Sequence, residues 1–312
     1  MEPIVRYPVY DLENQLLVSE GSELTPDFMD DFCREKRKIF PAAPLLEYGD
    51  IKKDLLLQFA IPPYNVIFTD EKTKSRVFEM LAHIALPLPV FQIMDYFRKN
   101  DYHTYRHMLI ISALTTLILD YLDPQQSNVQ GKGYSHLGPL HDLGKYTVPL
   151  PILLKKTPLT SRELDLLRHH TVAGYVLVCH YLNDHACLAS MIALDHHERR
   201  NGTGYSRGIE QENLVVEVTA VCDIYDALIA QRPYRPISFD NRTALEELTL
   251  MAQKGTISWK PVQVLIAYNR QKRTEVESIS ISTERRGKPP KQNVYGMLAD
   301  EELGGRGVQI SH

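Results

Sequence analysis

The feature that most constrains the fold is a long succession of helix-period segments that begins near Asp70 and continues through most of the chain. Apolar residues recur there at three- and four-residue spacing, over residues 71–84 and 89–99 and then through a long apolar segment at 103–122. This spacing is typical of helices that bury one face or nearly all of their surface. The sequence therefore predicts a mainly α fold, with a helical domain over about residues 85–270.

The same spacing predicts further helices downstream. Thr160 followed by Glu163 forms a capping box, which marks a helix start. The expected segments are one that carries Leu137, Leu140, His141 and Asp142, one that starts at Thr160 and carries His169 and His170, and helices at 172–182, 186–196, 214–230, 240–253 and 260–270.

The two ends of the chain differ from this helical part. Residues 4–18 alternate between apolar and polar with a polar break in the middle, which predicts a hairpin. Thr25 can cap a helix that has Pro26 in its first position. We interpret residues 1–80 as a small N-terminal α+β domain with a regulatory or packing role. Residues 271–312 are charged and poor in large apolar side chains, and we expect an extended tail there.

Composition limits the class of partner. The formal net charge of −4 argues against binding to long nucleic acids, which usually requires a basic excess. The sequence contains no apolar run near the roughly 18 residues that span a bilayer, and no export signal at its start. The four cysteines, Cys33, Cys179, Cys187 and Cys222, lie far apart without metal-binding spacing, and three of them lie in apolar helical segments and are interpreted as reduced core residues. A cytoplasmic location is therefore expected.

Candidate metal ligands are concentrated in the helical part. His141 and Asp142 are adjacent, so an imidazole nitrogen and a carboxylate oxygen are within reach of one ion, and Lys145 follows one helical turn after His141. Such a pair also occurs by chance, so the prediction depends on other residues that could converge on it. Seven candidates are found: His107, His141, Asp142, His170, His196, His197 and Asp223.

The chemistry of this set favours two first-row metal ions. Imidazoles combined with a carboxylate that can bridge suit iron or manganese before zinc. Thiolates are missing from the set, which argues against a structural zinc site. A carboxylate-bridged pair of ions about 3.5–4 Å apart is the arrangement used for in-line hydrolysis of phosphodiesters.

Six motifs in the expected order resemble a known family. They are His141-Asp142-Leu143-Gly144-Lys145, Leu153 to Lys156 with Leu159-Thr160, His170 with Gly174, His196 to Ser206, Ala220 to Leu228 with Arg232-Pro233-Tyr234-Arg235, and Gly255-Thr256 near Pro261. The first resembles the signature of the HD superfamily of metal-dependent phosphohydrolases. The fourth is similar to the HHExxDGxGYP motif of its HD-GYP branch. The resemblance covers about residues 95–270.

The resemblance implies an HD-type helical metallophosphohydrolase domain that hydrolyses cyclic di-GMP to linear pGpG, with onward hydrolysis to GMP left open. It implies two divalent ions, with iron preferred over manganese, held by the seven candidates with Asp142 as the bridge. Asp142 and Lys145 would be the catalytic residues, with Lys145 on the scissile phosphate. The substrate contacts would come from Lys145, Tyr205, Arg207 and Arg235.

Three departures from the family pattern leave alternatives open. His103 stands where members with a third metal have glutamate, which favours two ions over three. Asn201 replaces the aspartate of the glycine-rich motif, and Ser206 replaces its proline. The altered loop motivates a second hypothesis: a degenerate member that binds metal and a cyclic dinucleotide and signals to a protein partner through the N-terminal domain or this loop. A third is a phosphohydrolase of another nucleotide.

Overall fold

Helices dominate the fold, and the mainly α class is confirmed. The computed structural model describes residues 2–127, 139–231, 237–272, 276, 281–282, 284–290, 297–298 and 308–309. Among the described helices, none combines the length and the apolar character that a bilayer crossing needs.

The N-terminal part combines short strands and helices. Its elements are β1 (Val9–Tyr10), β2 (Leu16–Val18), α1 (Pro26–Glu35), β3 (Ala42–Pro44), a 3-10 turn (Leu45–Glu47), α2 (Ile51–Phe59), α3 (Tyr64–Ile67), α4 (Glu71–Leu81) and β4 (Ala85–Pro87). β1 pairs antiparallel with β2, as the alternation predicted, and β3 pairs antiparallel with β4. The Thr25 hydroxyl accepts a hydrogen bond from the N–H of Phe28, so the predicted cap of α1 is confirmed.

The helical part follows directly. Its elements are α5 (Leu88–Asn100), α6 (Tyr102–Leu122), α7 (Pro124–Ser127), a 3-10 helix (Leu143–Thr147), α8 (Leu150–Leu153), α9 (Ser161–Arg168), α10 (His170–Leu182), α11 (Leu188–Asp195), α12 (Leu214–Ile229), α13 (Asn241–Gln253) and α14 (Trp259–Asn269). The capping box that opens α9 is present. Two short antiparallel strands, β5 (Met297–Leu298) and β6 (Val308–Gln309), lie in the C-terminal region.

Two local predictions are wrong. His141 and Asp142 do not lie on a helix: they form a turn, and the 3-10 helix after them begins with the hydrogen bond from the N–H of Lys145 to the carbonyl of Asp142. Lys145 is therefore not stacked one α-helical turn above His141. Leu137 lies outside the described residues. His169 and His170 do not share one helix, because α9 ends at Arg168, where the Leu167 carbonyl bonds the His170 ring instead of continuing the helix.

The core is continuous across both parts. Buried apolar side chains form one cluster that runs along the chain from Val5 to Val276. α6 is buried on nearly every face and packs against α2, α4, α5, α12 and α14. β1 and α1 pack against α10. The N-terminal part thus shares its core with the helical part, while the division of the chain near residue 80 stays a prediction.

His180 lies where α10 meets the N-terminal part. Its ring is buried against Phe32, Phe40 and Tyr181, and neither of its nitrogens has a hydrogen-bond partner in the part of the chain that the structure describes. Burial, aided by the nearby charge of Lys38, lowers the pKa of His180 to about 4. The imidazole is therefore neutral and unsatisfied, which costs free energy in a folded protein.

Replacing His180 with leucine should raise the free energy of unfolding by about 1 kcal/mol at pH 7 and by more at pH 5. Between the ordinary pKa of about 6.5 and the folded value of about 4, the unfolded chain binds a proton that the folded chain does not. The wild type therefore loses stability as the pH falls through this range, and the leucine variant lacks that loss. Urea denaturation of metal-free protein at both pH values measures the difference. His83→Leu, at an exposed position, is the control. A difference that does not widen at pH 5 would contradict the prediction.

Candidate metal centre

The fold brings all seven candidate ligands together. His107 comes from α6, His141 and Asp142 from the turn before the 3-10 helix, and His170 from the first position of α10. The remaining three are His196, which caps α11, His197, which follows it, and Asp223 on α12. All are buried except His197, which is partly exposed.

Asp142 lies at the centre of the group, and its two oxygens face different histidines. Oδ2 is 3.4 Å from Nε2 of His107 and 3.4 Å from Nε2 of His141. Oδ1 is 3.4 Å from Nε2 of His170 and 3.8 Å from Nε2 of His196. One carboxylate therefore faces two sets of imidazole nitrogens at once, the position that a bridging ligand would take.

Asp223 also connects the two sets. Its Oδ1 is 3.1 Å from Nε2 of His107, and its Oδ2 is 3.8 Å from Nδ1 of His197. Two groups of potential ligands result, each with its donor atoms within 4.8 Å of one another. The first consists of His107, His141 and Asp142, and the second of His170, His196 and His197. His103, one turn before His107 on α6, is exposed and belongs to neither group.

Hydrogen bonds fix the orientation of three imidazole rings. Nδ1 of His170 is 2.6 Å from the carbonyl of Leu167, and Nδ1 of His196 is 2.9 Å from the carbonyl of Ile192. A carbonyl only accepts, so both Nδ1 atoms carry the proton and both Nε2 atoms present a lone pair. Nδ1 of His107 is held in the same way, 2.6 Å from a carboxylate oxygen of Asp226. Such bonds set the tautomer of metal-binding histidines.

The protonation states suit metal binding. Burial lowers the pKa of His170 to about 4 and that of His196 to about 3, so both rings are neutral near pH 7. Burial alone would raise the pKa of Asp142, but Lys145 and the neighbouring histidines hold it well below its usual range. Neutral imidazoles and an ionised carboxylate are the forms that bind metal ions.

Three atoms at the centre of the group present lone pairs that a cation would satisfy: Nε2 of His170, Nε2 of His196 and Oδ1 of Asp142. Nε2 of His170 and Nε2 of His196 are 3.3 Å apart, and with both protons on Nδ1 this contact places two lone pairs opposite each other. Oδ1 of Asp142 is fully buried and has no hydrogen-bond donor among the residues that the structure describes. A divalent ion would satisfy these atoms, so the residues present fit a metal.

Lys145 supplies a positive charge at the edge of the group. Its Nζ is 2.6 Å from Oδ2 of Asp142, and its side chain is mostly buried. Gly144 lets the 3-10 helix lie close to α10, because a Cβ at this position would be 1.9 Å from the carbonyl oxygen of His170 and 2.3 Å from the N of Gly174. The 3-10 helix therefore packs backbone to backbone against α10.

The glycine-rich loop after His197 is held by two acidic side chains. Glu198 accepts hydrogen bonds from the backbone N–H groups of Arg207, Gly208 and Ile209, at 2.6, 3.2 and 3.1 Å. Asp195 binds the guanidinium of Arg207 at 3.1 and 2.5 Å. Arg207 is also a predicted substrate contact, and that role stays a prediction beside its pairing with Asp195. The loop is thus anchored without a charge at position 201.

Tyr205 lies beside the second ligand group. Its ring stacks on that of His197, with centroids 4.6 Å apart and planes at 21°. The guanidinium of Arg168 lies 5.0 Å from the centroid of the same ring. Gly204 lets the loop lie close to the backbone of Glu198, since a Cβ at position 204 would be 2.4 Å from it. Arg235, another predicted substrate contact, lies outside the described residues.

Sequence reasoning missed three residues near the group. Arg168 could have been suspected, because it is a cation two positions before His170. Arg106 could have been suspected as the neighbour of His107, and it binds Asp226. Tyr64 gave no signal, because it lies far from every motif, yet its hydroxyl donates a hydrogen bond to Asp226.

The chain is similar to known proteins over the region that holds this site. The HD domain family matches residues 100–257. A cyclic di-GMP phosphodiesterase of Pseudomonas aeruginosa is 38% identical over 142 residues, which cover 44% of this chain and 33% of that protein. A cyclic di-GMP phosphodiesterase of Thermotoga maritima is 31% identical over 172 residues, 54% of this chain and 46% of that protein. A 3'3'-cGAMP-specific phosphodiesterase of Vibrio cholerae is 34% identical over 119 residues, 38% of this chain and 22% of that protein.

The chain spans less than half the length of each of these curated relatives. The matched region contains all seven ligand candidates and the glycine-rich loop. Residues 1–99, including the hairpin and α1 to α4, lie outside the family match.

Proposed function

Because the chain belongs to the HD domain family, we propose that it is a metal-dependent phosphodiesterase that hydrolyses cyclic di-GMP to linear pGpG. The family match confirms the resemblance that the ordered motifs indicated. Support for the substrate comes from relatives that are named as cyclic di-GMP phosphodiesterases. Support for the chemistry comes from one observation above all: the two oxygens of Asp142 face two separate sets of histidine nitrogens.

We propose that the centre holds two divalent ions, iron before manganese. His107 and His141 would hold one ion and His170, His196 and His197 the other, with Asp142 between them and Asp223 beside both sets. When bound, such ions lower the pKa of water and withdraw charge from a phosphate. Nitrogen and carboxylate donors without thiolates suit these metals.

The residues around the centre would bind and orient the substrate. Lys145 carries a cation 2.6 Å from Asp142, where it can neutralise charge that develops on the scissile phosphate and its leaving oxygen. The Tyr205 ring, which stacks on His197 and lies 5.0 Å from the guanidinium of Arg168, offers an aromatic edge and a nearby cation to a phosphorylated nucleoside. Contacts from Arg207 and Arg235 to substrate stay predictions, as does further hydrolysis to GMP.

A binding protein without turnover is the second candidate. The observation that favours it is the altered glycine-rich loop, in which Asn201 and Ser206 replace the residues of the family motif. In this alternative the metal ions and the cyclic dinucleotide are retained, and the signal passes to a protein partner through the N-terminal part or the loop. The anchoring of the loop by Glu198 weighs against a loss of its position.

The test is an anaerobic assay of protein loaded with iron(II) or manganese(II), with metal content measured on the same sample. Wild-type protein should convert cyclic di-GMP to the linear dinucleotide, and 3'3'-cGAMP and mononucleotides serve as competing substrates. Lys145→Met should keep both metals and lose about 100-fold in turnover, because it removes a charge that acts on the transition state. Bound metal and tight cyclic di-GMP binding without product would favour the binding protein. Preferred turnover of a mononucleotide would contradict the proposed substrate.

A further inference from the structure

Asp226 connects a metal-facing histidine to two residues that carry no known role. It is fully buried on α12, and its Oδ2 is 2.6 Å from Nδ1 of His107. The guanidinium of Arg106 binds the same oxygen at 2.5 Å. The hydroxyl of Tyr64 donates a hydrogen bond to Oδ1 and accepts one from Arg106 at 3.3 Å.

The hydrogen bonds of this network assign a role to each of its members. Both oxygens of Asp226 are acceptors, Oδ2 for the guanidinium of Arg106 and Oδ1 for the hydroxyl of Tyr64. Burial and the adjacent carboxylate raise the pKa of Tyr64 well above its usual value, so the hydroxyl stays a donor. Nδ1 of His107 donates its proton to Oδ2 of Asp226, 2.6 Å away, so the lone pair of the imidazole lies on Nε2.

The geometry of Nε2 depends on this arrangement. Nε2 of His107 lies 3.1 Å from Asp223, 3.4 Å from Asp142 and 3.3 Å from Nε2 of His141. A rotation of the Asp226 carboxylate would rotate the ring that it binds. Tyr64 and Arg106 occupy both oxygens of Asp226 and so limit that rotation.

We infer that Tyr64 and Arg106 are positioning residues for the metal centre, which act through Asp226 to hold Nε2 of His107 toward the ion. The inference rests on the metal centre of the proposed function. It adds a positioning role for Tyr64, which lies outside the family-matched residues 100–257. Tyr64 lies on α3, in the N-terminal part, and its hydroxyl contacts both Asp226 and Arg106. The N-terminal part would thereby complete the centre.

The chain contains a matched control for this network. Tyr105 is also buried, and its hydroxyl donates a hydrogen bond to Asp54 at 2.7 Å. Arg98 lies 3.2 Å from the same carboxylate. A tyrosine, an aspartate and an arginine are thus combined in both places, but the described contacts of Asp54 include no histidine. Removing either hydroxyl deprives a largely buried carboxylate of one donor, so a purely structural effect should be similar in the two variants.

The test is a titration of Tyr64→Phe and Tyr105→Phe with manganese(II) alone, in which electron paramagnetic resonance measures the free ion. For Tyr64→Phe we expect one of the two dissociation constants to rise about tenfold, because partners of this kind typically contribute 10–100-fold in affinity. Tyr105→Phe should bind manganese as the wild type does, while both variants show comparable shifts in thermal unfolding.

Wild-type manganese affinity in Tyr64→Phe would overturn the inference. An equal loss of affinity in Tyr64→Phe and Tyr105→Phe would overturn it as well. If wild-type protein binds manganese but does not hydrolyse cyclic di-GMP, the proposed substrate is wrong and this comparison still decides the role of Tyr64. Wild-type protein that binds neither manganese(II) nor iron(II) would contradict both the metal centre and the positioning role.

Discussion

Asp142→Asn is expected to reduce turnover of cyclic di-GMP by about 1,000-fold and to lower the metal content from two ions to at most one. Removing the charge that faces both histidine sets should cost about 4 kcal/mol of transition-state stabilisation, and each 1.36 kcal/mol corresponds to a factor of ten. The amide also turns an N–H donor toward one set of lone pairs, where an acceptor stood before. Metal analysis and product separation on the same sample measure both effects.

The control for this variant is Asp120→Asn. Asp120 lies on the same helix as His107 but near its other end, where it pairs with Arg76 at 2.8 Å. The substitution is chemically identical and removes a carboxylate from an ion pair, so it should leave metal content and turnover unchanged. Two bound ions and wild-type turnover in Asp142→Asn would exclude a bridging role for Asp142.

Gly144→Ala is expected to lower the free energy of unfolding of the metal-free protein by about 3 kcal/mol. A Cβ at this position would lie 1.9 Å from the carbonyl oxygen of His170 and 2.3 Å from the backbone N of Gly174. Both obstacles are backbone atoms, so the 3-10 helix must move away from α10. Because Asp142 lies at the start of this 3-10 helix, manganese affinity should fall as well. Chemical denaturation and manganese titration measure the two effects.

Gly255→Ala separates this contact from a general effect of adding a methyl group. Gly255 has φ +70°, and a Cβ there would meet no atom within 4 Å. Its cost is therefore backbone strain alone, about 1 kcal/mol, with no change in manganese affinity. The packing argument fails if Gly144→Ala is no more destabilising than Gly255→Ala.

The ligand set could be predicted because each member belongs to a local pattern. His196 and His197 precede a glycine-rich loop, and His141 and Asp142 are adjacent, so short stretches of sequence identify them. The helix that presents His107 could be predicted as well, since apolar periodicity over some twenty residues leaves little choice. The structure then brings these patterns together.

Other features depend on contacts between distant parts of the chain and could not be predicted. The residues around His141 have the pattern of an α-helix. In the structure this segment is a turn followed by a 3-10 helix that packs closely against α10. The pairing of Arg207 with Asp195 could not be predicted, because no local pattern links the two side chains. Tyr64 lies 162 positions from Asp226 in the sequence, and no periodicity links positions so far apart.

The continuous core has a consequence for the exchange of segments between this protein and other chains. In many proteins an enzymatic segment can be moved between chains because its surface is complete without its neighbours. Here α2 and α4 pack on α6, which presents His107, and β1 and α1 pack on α10, which presents His170. Residues before position 85 therefore cover part of the apolar surface of both helices. Exchange of that N-terminal segment for an unrelated one would uncover apolar faces of both helices. Each part therefore depends on the other for the burial of its apolar side chains.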